Sequence, residues 1–279
     1  MKQKIFVWKL CEAVGRQWWF LPLILLPQII PPYTSFGYKL GELGAVNAYI
    51  LTHPIKGYFT SIFPFFQIIP LVLVVAIFFA GKRVTRLFSI YISLSYMLIA
   101  FLQSFSISDR YGFSVLIGNV VTFLILAGLW LWESISPKNE FELQEIPVWK
   151  YWLILPALLP FWEPVNPHTL LPDFNPIYML TSGAGLSFCM VTPLYLAILA
   201  IFFPHVNKPI FIITSVIGVF MSLGNMLLEF VIYPTYWWIG VLHIPLFILS
   251  SYCVIISFSE IAGQVKKMAV GSVSPSYNV

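Results

Sequence analysis

Long uncharged stretches are the feature of this sequence that most limits its fold. A helix needs about 20 largely apolar residues to cross the roughly 30 Å hydrocarbon core of a bilayer, so each such stretch is a candidate membrane span. Of all side chains 59% are hydrophobic and 9% are charged, whereas an average soluble domain carries about 25% charged residues. The composition excludes a soluble domain, a disordered chain, a collagen and a coiled coil, and predicts a polytopic membrane protein.

The gaps between charged residues predict an all-α bundle of about eight transmembrane helices. A β-barrel is excluded because runs such as residues 71–79 are apolar at odd and even positions alike, while barrel strands alternate. Without water in the bilayer core, helices must satisfy the backbone internally. The predicted spans are residues 17–35, 58–80, 87–106, 112–134, 148–163, 177–203, 209–232 and 237–259.

The distribution of Lys and Arg predicts which ends of these helices face the cytoplasm. With the N-terminus inside, twelve of the 15 basic residues lie on inner segments and three, Lys39, Lys56 and Arg110, lie on outer ones. Cytoplasmic loops carry the excess of basic residues, so both termini are expected inside, in a membrane that we expect to be a prokaryotic cell membrane. The net charge of +4 is then a topology signal, and no nucleic-acid partner is expected.

Three segments are predicted to lie outside the membrane helices. Residues 1–16 mix basic and apolar side chains and are expected to lie on the inner leaflet as an interfacial segment. Residues 136–147 form the longest polar stretch and are expected to be an inner linker. Residues 263–279 are expected to form a disordered tail.

The sequence also contains an internal repeat, which predicts two similar halves. Four matches occur in the same order in residues 17–135 and 148–262, and each half would hold four helices. Since four is an even number, both copies would enter the membrane from the same side as a parallel 4+4 repeat. The matched segments are residues 18–27 with 151–160, 53–61 with 175–182, 70–79 with 193–203, and 93–98 with 222–227.

Five residues within the predicted spans are candidates for a substrate-binding site. Pro70 and Pro193 match each other in the repeat and would kink their helices, either opening a cavity between the halves or simply shaping the bundle. Glu229 and His243 lie at similar depth on adjacent helices and could pair, because ionisable residues inside a membrane are functional candidates by default. Asn119 lies near the depth of His243 in the matching helix, which favours a structural hydrogen bond there.

A second polar set lies on the predicted outer loops. It consists of His53, Glu163, His168 and Asp173, the last three on a proline-rich loop. Carboxylates and histidines can form a metal site or an acid–base pair, but residues such as Asp173 and His168 are more often turn formers and helix caps than ligands. Their spacing matches no zinc signature, so neither a metal nor a cofactor is expected.

Three function classes remain compatible with this sequence. The first is a carrier or binding protein for an apolar or amphipathic small molecule, because the chain has few buried charges and two kinked halves. The second is a non-catalytic scaffold that holds other membrane proteins. The third is an enzyme that modifies a lipid or isoprenoid at the outer face. No catalytic motif is present and the three cysteines show no redox or metal spacing, which favours the scaffold over the enzyme. The few buried charges and the kinked helices favour the carrier, which we rank first; its expected partners are the lipid bilayer, an apolar ligand and other membrane proteins.

Overall fold

The fold was obtained as a computed structural model that describes residues 20–142, 146–167 and 169–271. The chain is mostly helical, with a small antiparallel sheet. The α-helices are α1 (Phe20–Leu25), α2 (Leu43–Thr52), α3 (Phe63–Ala80), α4 (Lys82–Leu102), α5 (Ile117–Ile135), α6 (Ile154–Trp162), α7 (Tyr178–Thr181), α8 (Phe188–Phe202), α9 (Lys208–Leu227) and α10 (Trp237–Gly271). The strands are β1 (Tyr33–Thr34), β2 (Phe105–Ser108) and β3 (Gly112–Val115).

The described residues contain five helices that are long and apolar enough to cross a membrane. The number of candidate spans is six if the segments of α7 and α8, which meet at an angle of 92°, form one broken span. The prediction of a mostly helical chain with several helices suited to a membrane is thereby confirmed. The count of eight spans, the 4+4 repeat and the inward termini stay predictions.

Prolines explain why the first predicted helix, residues 17–35, is not continuous. The structure has α1, a 3-10 turn over Leu26–Ile29, and then β1. Proline lacks an amide hydrogen and clashes with the preceding turn, so Pro27 and Pro31 break the helix despite its apolar composition. Residues 1–19, which include the predicted interfacial segment 1–16, lie outside the described part of the chain.

A β-hairpin replaces helix ends that the sequence pattern predicted as continuous. The predicted helix 87–106 ends at Leu102, and the predicted helix 112–134 begins at Ile117. Strands β2 and β3 pair between them, with Ile107 opposite Phe113, and β1 adds to the other edge of β3. Gly112 has φ +67°, a left-handed conformation that glycine adopts without strain, so the chain can reverse there.

The predicted helix 177–203 is broken where the chain passes close to α3. Between α7 and α8 lies a 3-10 turn, Ala184–Leu186, followed by an extended Ser187. A methyl group on Gly185 would lie 2.1 Å from the backbone oxygen of Phe66. Only a residue without a Cβ permits this approach, and the break places the N-terminus of α8 inside the protein.

Smaller differences concern the remaining predicted helices. Residues 148–163 form a 3-10 turn over Val148–Leu153 followed by α6. The helix predicted at 209–232 ends in a π-helical turn, Leu228–Ile232. Helix α10 continues beyond residue 259 to Gly271 because the sequence there contains good helix formers and no proline. The rest of the predicted tail, residues 272–279, lies outside the described part.

Helix α8 forms the centre of the core. All 15 of its residues are buried. It packs against α6, α9 and α10, and it reaches α4 through hydrogen bonds from the Tyr96 hydroxyl to Thr192 (3.1 Å) and from Tyr195 to Ser95 (3.2 Å). The other main contacts join α4 to α5 and α9 to α10. The small residue Gly218 lets α9 approach α10, since a Cβ there would lie 2.2 Å from the Ser250 hydroxyl.

One buried carboxylate helps to hold the predicted linker against the bundle, together with the hydrogen bond from the Asn207 amide to the Asn139 side chain at 2.7 Å and that from the Glu140 amide to the His205 backbone oxygen at 2.8 Å. Glu133, at the end of α5, accepts hydrogen bonds from the backbone amides of Lys138 and Asn139, each at 2.7 Å. It also accepts one from the Asn207 side chain at 2.6 Å. Since Asn207 directly precedes α9, this carboxylate joins the ends of α5 and α9 to the chain between them.

Candidate functional site

A cavity of about 670 Å³ lies between the 3-10 segment Ile55–Ile62, the loop after α6 and the segment 178–183. Drug-sized molecules occupy cavities of about 300–1,000 Å³, so this space can hold one. Lys56 and Glu163 are the two charged side chains among the described lining residues. Its apolar and aromatic wall includes Tyr49, Phe63, Ile107, Val165, Leu170 and Ile239.

Lys56 is held at the wall of this cavity by the chain that precedes α8. Its side chain is half-buried, and its ammonium group donates a hydrogen bond to the backbone oxygen of Gly183 at 3.2 Å. It also donates to the hydroxyl of Ser187. A lysine has three donors, so these two contacts leave one N–H for a molecule in the cavity.

Glu163 supplies the opposite charge from the end of α6. Its backbone is left-handed (φ 53°), a conformation that is uncommon for residues other than glycine. The carboxylate accepts hydrogen bonds from the Ser182 side chain and the Gly183 amide. Glu163 lies outside the candidate spans, and burial raises the pKa of its carboxyl, while attraction by Lys56 opposes that shift.

Gly183 connects the two charges. Its backbone oxygen accepts from Lys56, and its amide donates to Glu163. A Cβ at this position would lie 3.2 Å from the Lys56 ammonium and from the Phe63 ring. The small residue therefore lets the cation and the carboxylate share one peptide unit at the cavity wall.

Glu229 and His243 lie in contact, as their similar predicted depth suggested. The Glu229 Oε2 atom is 2.9 Å from His243 Nδ1, and the same nitrogen lies 2.9 Å from the backbone oxygen of Ile239. Both side chains are buried, with 8% and 5% of their surfaces exposed. The π-helical turn after α9 carries Glu229, and such turns are frequent at functional sites.

The structure brings together two further polar residues that sequence reasoning missed. Cys189 lies in the first turn of α8. The Asn225 side chain donates a hydrogen bond to the Cys189 sulfur at 3.5 Å. Glu229 with His243 and Asn225 with Cys189 are thus two polar contacts in the second half of the chain.

One sequence signal could have revealed these residues. Under the predicted repeat, Cys189, Asn225 and Glu229 correspond to Phe66, Tyr96 and Ala100 of the first half. Cys189 is smaller than Phe66, and Glu229 is more polar than Ala100. Asn225 is smaller than Tyr96, although both carry a polar group. Departures from the repeat that cluster in one copy point to a feature that the shared scaffold does not need.

The predicted outer-loop residues are only partly brought together. His53 lines the cavity beside Glu163 and stacks on Tyr49, with ring centroids 4.5 Å apart. Asp173 accepts a hydrogen bond from the hydroxyl of Tyr178 at 2.6 Å, so it holds a cavity-lining residue in place. His168 lies outside the described residues.

The remaining predicted site residues lie elsewhere. Asn119 lines a second cavity of about 250 Å³ together with Asn225. Pro70 and Pro193 are buried within α3 and α8 and are not among the described residues that line the large cavity. Substrate binding by these three residues, and by Glu229 and His243, stays a prediction.

The described residues do not form a metal site. Within residues 20–142, 146–167 and 169–271, no three His, Cys, Asp or Glu side chains are placed to hold a metal ion.

No family model, curated protein or solved structure matches this chain. Its class therefore follows from its own fold, in which several helices are long and apolar enough to span a membrane. These helices mark an integral membrane protein, and its large cavity has a mainly apolar wall that includes two charged side chains.

Proposed function

We propose that this chain is a membrane carrier or binding protein for an amphipathic small molecule. The observation that supports the proposal is the cavity of about 670 Å³, in which apolar and aromatic walls surround one cation and one carboxylate. Ligand sites are typically apolar spaces with a few polar groups that fix orientation. In the predicted topology this cavity opens near the outer face, and both termini are cytoplasmic.

The charges define which part of the ligand each side of the cavity accepts. Lys56 keeps one donor that neither Gly183 nor Ser187 occupies, so it favours a carboxylate, phosphate or carbonyl oxygen. The apolar wall, which includes Phe63 and Leu170, favours a hydrocarbon portion. An anionic headgroup attached to an acyl or similar chain satisfies both requirements.

Binding of a fluorescent fatty acid, dansyl-undecanoate, to the purified protein in mild detergent tests the proposal. Lys56→Met should weaken binding at least about tenfold, which corresponds to about 1.4 kcal/mol, because it removes the headgroup partner. The double variant Lys56→Met/Glu163→Gln avoids leaving the Glu163 carboxylate unpaired and should show the same loss. Arg110→Gln is the matched control, since Arg110 is basic but exposed and pairs with Glu42.

Equal affinity of the wild type and both Lys56 variants would refute the carrier proposal. Failure of the wild type to bind this probe, dodecyl phosphate and dodecylphosphocholine would refute it as well. If the wild type bound none of these probes and retained a stoichiometric membrane-protein partner through purification, the scaffold alternative would replace the carrier proposal.

A further inference from the structure

The second cavity, of about 250 Å³, is lined by carboxamide side chains from four separate segments of the chain. Gln28 belongs to the 3-10 turn Leu26–Ile29 and Asn47 to α2, whereas Asn119 lies in the first turn of α5 and Asn225 in the last turn of α9. The described residues that line this cavity include no ionisable side chain. Four amides among apolar helices require a reason, because a buried polar group costs free energy unless it is paired.

A close contact between the 3-10 turn and α5 builds one wall of this cavity. A Cβ on Gly118, which lines the cavity, would lie 2.5 Å from the backbone oxygen of Pro27, so the approach requires a glycine. The Gln28 side chain donates a hydrogen bond to the Thr122 hydroxyl at 2.8 Å. These two contacts hold the Gln28 amide against α5.

The contacts of these amides leave mainly oxygen atoms available to a ligand. A carboxamide has two N–H donors and one acceptor oxygen. The Asn225 side chain uses its donors on the Cys189 sulfur at 3.5 Å and the Met221 backbone oxygen at 2.9 Å, and Gln28 likewise acts as a donor. The Oδ1 atom of Asn47 is buried and accepts no hydrogen bond from the described residues. A ligand with hydrogen-bond donors would satisfy these oxygens.

The absence of charge on the described lining residues favours an uncharged ligand. Burying a charged group without a counter-charge is costly, and the large cavity differs in this respect because it contains Lys56 and Glu163. A hydroxyl group both donates and accepts hydrogen bonds. It can therefore donate to the oxygens of Asn47 and Asn225 and accept from an N–H group of Asn119.

The size and position of the cavity suit the headgroup of an amphiphile. Its volume of about 250 Å³ lies below the range of about 300–1,000 Å³ that is usual for a whole drug-sized ligand. Two apolar lining residues, Ile30 and Phe220, keep 43% and 41% of their surfaces exposed, so an attached hydrocarbon chain can continue over them. Asn119 and Asn225 lie within candidate membrane spans, where such a chain would meet the bilayer.

We propose that the second cavity binds the hydroxyl-bearing headgroup of an uncharged amphiphile, such as a monoacylglycerol. The Asn47, Asn119 and Asn225 side chains form the hydrogen bonds to the hydroxyl groups, and the hydrocarbon chain lies along Ile30 and Phe220. This site goes beyond the proposed carrier function, because none of the described residues lines both cavities.

Three fluorescent probes with the same hydrocarbon chain test this proposal. They are the glyceryl ester of dansyl-undecanoic acid, the same ester with both free hydroxyls methylated, and dansyl-undecanoate itself. The full chain is kept in lauryldimethylamine oxide, a detergent that has no hydroxyl group to compete with the probes. The wild type should bind the glyceryl ester at least about tenfold more tightly than the methylated ester, because methylation removes both donors and leaves the amide oxygens unpaired.

Leucine substitutions test the location of the site, since leucine resembles asparagine in shape and lacks its polar atoms. Asn47→Leu and Asn119→Leu should each reduce the preference for the glyceryl ester over the methylated ester at least about threefold. Lys56→Met is the control and should leave this preference unchanged, because Lys56 lines the large cavity. Elution of each variant at the wild-type volume in size-exclusion chromatography shows that it is folded.

The outcomes separate this inference from the carrier proposal. Equal affinity of the wild type for the two esters overturns the inference, and so does a preference that both leucine variants retain in full. Loss of the preference in Lys56→Met overturns it as well, because the glyceryl group would then lie in the large cavity. If Lys56→Met binds dansyl-undecanoate as the wild type does and the preference for the glyceryl ester persists, the carrier proposal alone is overturned.

Discussion

Replacing Glu133 by alanine should loosen the attachment of the predicted linker to the bundle and lower stability strongly. Three N–H donors converge on this buried carboxylate, from the amides of Lys138 and Asn139 at 2.7 Å and from the Asn207 side chain at 2.6 Å. A hydrogen bond to a charged group contributes about 1.5–3 kcal/mol. The removal also leaves the Asn139 amide and the Asn207 side chain unpaired in a buried place.

The size of the effect follows from these contacts and from an opposing term. Three bonds would sum to about 4.5–9 kcal/mol, but releasing a buried carboxyl recovers several kcal/mol of desolvation. The net destabilisation expected for Glu133→Ala is therefore about 3 kcal/mol, a size typical of broken buried networks. For a chain of this size, that corresponds to a decrease in melting temperature of roughly 6–10 °C.

Thermal unfolding in detergent, followed by a thiol-reactive dye, measures this change because Cys253 is fully buried in the folded chain. Glu140→Ala is the matched control, since Glu140 lies on the same segment with an exposed side chain and should change stability by less than about 0.5 kcal/mol. A Glu133→Ala protein that melts within about 1 °C of the wild type would refute the reasoning, because the convergence of three donors would then carry no net energy.

Two further predictions concern packing and protonation. Gly185→Ala should destabilise the protein by about 2–4 kcal/mol, because its methyl group would lie 2.1 Å from a backbone oxygen of α3. Gly128→Ala is the control: Gly128 has open space around it, so the substitution should stabilise α5 by up to about 1 kcal/mol. The melting temperatures of both variants test this prediction. Burial lowers the pKa of the Lys150 ammonium, so the folded chain holds its proton less tightly than the unfolded chain. Folding should therefore become more favourable as the pH rises from the folded toward the unfolded pKa. The melting temperature of the wild type should rise relative to that of Lys150→Met as the pH approaches the ordinary lysine pKa of about 10.4, and a constant difference would contradict the assignment.

The fold was predictable where composition alone decides and not where a single residue redirects the chain. Spans such as α3 and α4 follow from apolar length, because the bilayer demands it. The β2–β3 hairpin was missed because four-residue strands that flank two long helices differ little from helix ends in their apolar pattern. Gly185 broke a predicted helix because the close approach to Phe66 depends on a partner 119 positions away in the sequence.

The candidate site was predictable where ionisable residues stood out against an apolar background. Glu229 and His243 were singled out in this way, and Glu163 and His53 were singled out as polar residues of the predicted loops. Cys189 was missed because a cysteine in an apolar helix resembles ordinary core, and its neighbours come from other helices. Lys56 was missed as a site residue and entered only the count of basic residues used for topology. Its neighbours in the sequence do not indicate that its ammonium group contacts Gly183.

The predicted repeat gives a physical reason to treat the Glu229–His243 pair as a functional candidate. Burying a polar group costs free energy unless its partners fully compensate. Under the repeat, Glu229 stands where the first half has Ala100, which is fully buried. The same scaffold can therefore be built without this carboxylate. A second half in which Glu229 lies 2.9 Å from His243 then accepts a cost in free energy that helix packing does not require, which is the reason why ionisable residues inside a membrane are functional candidates.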